Sequence, residues 1–222
     1  MKYTVFLYSV APMILPPFDP PTFDELTAFW RQCTYADVHR LVLEVIHQRL
    51  TLMELTSPVA AARQAVNALD PEKAWVAKSV RKVQWLIDAE ITRAGPLGNT
   101  RDPIAPFSDE WRARHGVTLR LYDRPVESTA GQLARVGRLP EFERIKWNDL
   151  RMAWRKTPPG QGSNFTLGQR LVLESAKSRQ EFRKIEKLAV KVQSELAEKN
   201  VESPALTALL RAISAEIRER GW

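Results

Sequence analysis

The segment 166–199, TLGQRLVLESAKSRQEFRKIEKLAVKVQSELAEK, sets the architecture of this chain. Its Phe182, Ile185, Ala189, Val192 and Leu196 step by three and four, the spacing that aligns side chains on one face of an α-helix. Asn200 to Ser203 read as a turn. Ser203-Pro204 then opens a second helix, because proline at a first helical position forfeits only a donor that would have no partner there. Leu206, Leu210, Ile213 and Ile217 carry the same spacing to about Arg220. Two apolar stripes joined by a short turn predict an antiparallel helical hairpin with a coiled-coil-like seam.

The side of the long helix away from that seam is basic. Arg179, Arg183 and Lys187, spaced by four, fall opposite it, and Arg170, Lys177, Lys184 and Lys191 recur every seven residues beside them. Glu181 and Glu186 fall nearer the seam edges, where Glu181 can pair with Lys184 at i+3. A preceding segment adds Arg144, Lys146, Arg151, Arg155 and Lys156. From Arg144 to Lys191 there are 12 basic residues against four acidic ones, whereas residues 1–110 hold 11 Lys/Arg against 13 Asp/Glu. A one-sided positive surface suits a polyanion, and each phosphate it neutralises releases condensed counterions. An ordinary solvated helix face is the competing account; the spread of the imbalance over more than one helix favours the anion-binding one.

Working outward, residues 2–10 (KYTVFLYSV) and 117–122 (VTLRLY) read as two short strands able to pair. Residues 11–21 hold five prolines and cannot form regular helix. Thr22 with Glu25 forms a capping-box pattern, and Thr34 with Asp37 repeats the spacing ahead of Val38, Leu41, Val42, Val45, Ile46 and Leu50. Ser57-Pro58 and Asp70-Pro71 are further helix starts, the second leading to about Arg93. Residues 95–107 (GPLGNTRDPIAPF) read as a linker, and 157–164 (TPPGQGSN) as a second break. Shorter helices are expected near 109–115 and 129–138 and from Pro140 to Lys156. In the last of these Trp147, Leu150 and Trp154 mark an apolar face, so their rings are expected to pack in the core rather than to stack on bases. The backbone donors ahead of the long helix could hold a phosphate.

Enzymatic signatures are sparse. His39 and His47 share a helix, but no HExxH occurs and no Walker A lysine pattern follows the glycines at 160 and 162. A Cys33–His39 pair lacks a supporting signature. The one cysteine excludes an internal disulfide framework and a multi-cysteine zinc site. Asp88 with Glu90, and Asp109 with Glu110, do not converge on one helix face, so no two-metal nuclease site is legible. No cofactor, no metal site and no catalytic residue is expected. No stretch has the roughly 18 to 20 apolar residues that span a bilayer. The N-terminus lacks the pattern of an export signal, so a cytoplasmic location is expected.

The sequence therefore predicts a mainly α protein: a multi-helix N-terminal body with a minor two-stranded β element and a C-terminal antiparallel helical hairpin. Its divisions are 1–94, a linker at 95–107, a mainly helical stretch at 108–160 and a basic hairpin at 161–222. The opening strand, proline segment and Thr22-x-Asp24-Glu25-Leu26 helix start resemble the beginning of some RNA-guided effector subunits over about 25 residues, although the glycine-rich loop of those folds is missing. The expected function is that of a non-catalytic nucleic-acid-binding subunit of a multiprotein complex, contacting the phosphates of DNA or RNA. A phage- or plasmid-type assembly factor, with another chain completing its seam and an acidic protein meeting its basic face, is the alternative. A hydrolase assembled from distant residues is a third class.

Overall fold

In the computed structural model the described residues are 15–33, 35–68, 74–95, 97, 139, 142–157, 165–198 and 202–219. They are mainly helical, with no strand among them: α1 (Phe23–Gln32), α2 (Ala36–Glu54), α3 (Thr56–Asn67), α4 (Ala74–Ala94), α5 (Trp147–Lys156), α6 (Leu167–Ala197) and α7 (Pro204–Glu219). Both expected strands, the short helices near 109–115 and 129–138, and all but the edges of the 95–107 and 157–164 breaks lie outside the described residues.

Local chemistry accounts for several helix ends. The Thr22 amide donates to Glu25 Oε2 at 2.8 Å and the Glu25 amide to Thr22 Oγ1 at 3.2 Å, closing the capping box of α1. Thr166 and Gln169 repeat the device at α6, with bonds of 3.1 and 3.3 Å. α4 ends at Gly95, whose φ of +81° lets its amide turn back to the Ile91 carbonyl at 3.1 Å. α2 begins at Ala36 with Tyr35 as an N-cap that contributes no side-chain bond; Thr34, half of the expected box with Asp37, lies outside the described residues. A single residue, Leu55, joins α2 to α3 and is itself buried.

The helix expected from Pro140 starts only at Trp147. Residues 142–146 are not helical; they insert Phe142, Arg144 and Ile145 into the interior. The reason lies in Arg40 of α2, which donates to the carbonyls of Glu143 and Arg144 at 2.8 and 3.1 Å and to Asp149 at 2.9 Å. One side chain thereby ties both the strap and the first turn of α5 to α2. Leu150 is fully buried and Trp147 and Trp154 pack beside it, as their spacing predicts.

Two apolar cores result. One joins Leu26 and Trp30 of α1, the first half of α2, the 142–146 strap, Leu150 and the start of α6. The other joins Leu52 and Leu55 with α3, α4, α6 from Phe182 onward and α7. Gln193 bonds Thr207 at 3.4 Å and Ser214 bonds Glu186 at 3.0 Å, so α6 and α7 run in opposite senses. Their seam is not a two-helix coiled coil, however. Val59, Ala62 and Val66 of α3 and Val80, Val83 and Ile87 of α4 complete it.

Candidate nucleic-acid interface

The 12 basic residues singled out by the sequence divide into interior and surface groups. Arg144 and Arg179 are 5 % and 0 % exposed. Arg144 grips Glu44 through Nε at 2.9 Å and Nη2 at 3.1 Å, and Glu216 through Nη1 at 3.1 Å and Nη2 at 2.5 Å. Such doubly bidentate, charge-assisted bonding matches the planar fork of guanidinium. His47 Nε2 joins the group, 2.8 Å from Arg144 Nη1 and 3.2 Å from Glu216 Oε2. Arg179 donates to the Ile145 carbonyl and lies 3.8 Å from Glu44. Burial disfavours charge on Arg144, but Glu44 and Glu216 outweigh it and hold its pKa above the ordinary arginine value. Neither arginine can meet a phosphate from this position, which corrects their assignment to the outer face.

A second buried group lies beside the first. Arg93 of α4 reaches Glu174 of α6 at 2.8 and 3.1 Å and Glu90 at 2.7 Å from each of two nitrogens. Arg49 of α2 is less completely met: Nη2 donates to the Pro21 carbonyl at 2.7 Å and lies 3.5 Å from Glu174, whereas its buried Nε and Nη1 have no hydrogen-bond acceptor. Desolvation accordingly pushes the Arg49 pKa down and the Glu90 pKa up. The two groups occupy the stretches of α2 and α6 between the apolar cores, around residues 44–51 and 174–181. There both helices are covered on nearly every side. A charged layer thus separates two oily ones.

Arg170 and Lys177 occupy an intermediate position. Arg170 forms a fork to Glu25 at 2.6 and 2.8 Å and bonds the Asp19 and Pro20 carbonyls, docking the proline segment. That fork holds the Glu25 carboxyl well below its usual range, at about 2. Lys177 and Lys184 both bond Glu181, at 2.7 and 2.8 Å. Burial raises the Glu181 pKa, but the two ammonium groups prevail and keep it low.

The surface group runs along the outer side of α6. Arg183, Lys184, Lys187 and Lys191 are exposed, with 58 % of the Lys184 and 71 % of the Lys191 side chain open to solvent despite contacts with Glu181 and, at 3.8 Å, Glu195. Lys146, just ahead of α5, and Arg155 and Lys156 at its end are exposed, and Arg151 is half-buried. The structure therefore brings together on α6 a run of four exposed cations spaced one, three and four apart. The sequence did not reveal that Glu44 and Glu216, from distant helices, would take Arg144 out of the set; counting charge within a segment cannot register partners about 70 to 100 residues away.

The other expected chemistry is placed as follows. His39 Nε2 contacts the carbonyls of Trp30 and Cys33 at 3.0 and 2.6 Å, and its ring stacks on Trp30 at 4.0 Å. This clamps the end of α1 to α2. No group of three or more His, Cys, Asp or Glu suited to a metal ion occurs among the described residues. No helix among them is long and apolar enough to cross a membrane. Comparison with protein-family models, curated proteins and solved structures returns no match.

Proposed function

We propose that this protein is a non-catalytic nucleic-acid-binding subunit of a larger nucleoprotein complex. It grips the phosphate backbone through Arg183, Lys184, Lys187 and Lys191 of α6, with Lys146 just ahead of α5 and Arg155 and Lys156 at its end as outlying contacts. The observation that carries this reading is the exposed run on α6, in which the exposed charged side chains between 183 and 191 are all cationic, Glu186 being half-buried and bonded by Ser214 of α7. Lysine and arginine stems can lie along the helix while their heads reach anions. Supporting it, the chain carries a net charge of +7. The assembly-factor reading has lost one of its supports, since α3 and α4 already fill the seam that another chain was expected to complete.

The test is a salt titration of DNA and RNA binding by the full chain and by Arg183→Gln/Lys184→Gln/Lys187→Gln/Lys191→Gln. Affinity of the native chain should fall steeply with salt. The quadruple variant should flatten the slope of log K against log salt by roughly 3 to 4 on duplex DNA, at about 0.9 per phosphate contact. Binding that ignores salt, or a quadruple variant that binds like the native chain, would sink the proposal.

A further inference from the structure

Trp85 stands on the solvent side of α4 with 67 % of its surface exposed, outside both apolar cores. An indole so placed forgoes the burial that usually justifies tryptophan, so its position asks for a partner. Its neighbours on the same face are Lys82 and Arg81, three and four residues earlier, and Lys78, seven earlier; all three are exposed. Asp88, one turn later, is the nearby acid on this face, and Ala89 beside it offers no bulk that would cover the ring. At 1.5 Å per residue the cations sit about 5 and about 10 Å along the axis from the indole. That places positive charge along a line leading away from a flat aromatic face.

We infer that this face of α4 is a stacking platform for single-stranded nucleic acid, with an unpaired base on Trp85 and the adjoining phosphates on Arg81, Lys82 and Lys78. Aromatic faces accept any base, and cations in line with them follow the backbone. A duplex hides its base faces and gains nothing from the indole. An acidic protein would use the cations, but it lacks the regular succession of planar groups, each joined to an anion, that a single strand presents. The inference rests on the nucleic-acid reading above but on a different helix, so the two can fail separately.

Fluorescence anisotropy of a labelled oligo(dT) strand and of a mixed-sequence duplex, with the full chain, tests it. Trp85→Ala should weaken oligo(dT) binding about tenfold or more and leave duplex binding unchanged, while Trp85→Phe should keep most of the single-strand affinity. Because Trp85 lies outside the cores, both variants should retain the native circular dichroism spectrum. Trp85→Ala binding oligo(dT) as tightly as the native chain would overturn the platform, and would leave the α6 surface standing if the quadruple α6 variant loses affinity. Absence of binding to either nucleic acid by the native chain would remove both proposals. Polyglutamate displacing oligo(dT) at equal residue concentration would overturn the platform in favour of an acidic protein.

Discussion

Arginine serves opposite purposes at different positions of this chain, and its surroundings decide which. Arg144 satisfies two buried carboxylates at once, so truncation strips the guanidinium forks from both Glu44 and Glu216 and leaves the interior short of positive charge, although Gln48 still bonds Glu44 and His47 stays 3.2 Å from Glu216. Arg144→Met should cost about 3 to 5 kcal/mol in urea denaturation. Arg49→Met should cost far less, within about 1 kcal/mol, because two of its nitrogens already lack acceptors and Glu174 keeps its fork from Arg93. Equal losses in the two variants would refute this division of roles. Lys187→Ala, on the open face of α6, should shift stability by less than about 0.5 kcal/mol. The Glu25–Arg170 fork gives the fold an acid-sensitive contact. The Glu25 pKa is depressed in the folded state, so its contribution is present above the ordinary value of 4.5 and is lost as pH falls towards about 2. Glu25 is more than a third exposed, so screening reduces that contribution to about 1 kcal/mol. Denaturation midpoints between pH 5 and pH 2 for the native chain and Glu25→Gln should converge as pH drops.

At the scale of elements, the caps and the long amphipathic helices were legible because their signals are local. Thr22 with Glu25 and the three-four stepping from Phe182 to Leu196 are visible within a few turns of chain. What escaped is non-local. α2 looks amphipathic, with Glu44, His47 and Gln48 on its polar side, yet that side is buried because Arg144 arrives from a strap about 100 residues later. The same strap ended the expected 140–156 helix early, since Arg40 holds the carbonyls of Glu143 and Arg144 out of helical pairing. Arg40→Ala should free that segment; amide exchange near 143–150 should speed up while α3 and α7 stay protected. Gly95 offers a simpler test of an element's end. Alanine there meets no neighbour within 4 Å, so its cost of about 1 kcal/mol would come from backbone conformation alone.

At the scale of the whole molecule, the proposed binding surfaces and the scaffold are segregated. The cations offered to phosphate line the outer sides of α4 and α6, whereas the arginines that secure the bundle lie between the two apolar cores. Substitutions on the outer sides should therefore change affinity and salt response without changing the unfolding midpoint, and Arg144 variants should do the reverse. Measuring both quantities on the same variants would show whether the separation holds. The charged layer between the cores has a consequence of another kind. Apolar stripes tolerate sliding, because a leucine displaced by one turn meets another oily neighbour. Carboxylates and guanidinium groups do not, since a slip of α2 against α6 by about 5 Å would strand Glu44 and Glu174 opposite the wrong partners. The layer acts as a vernier, admitting one alignment of the helices where hydrophobic packing alone would admit several.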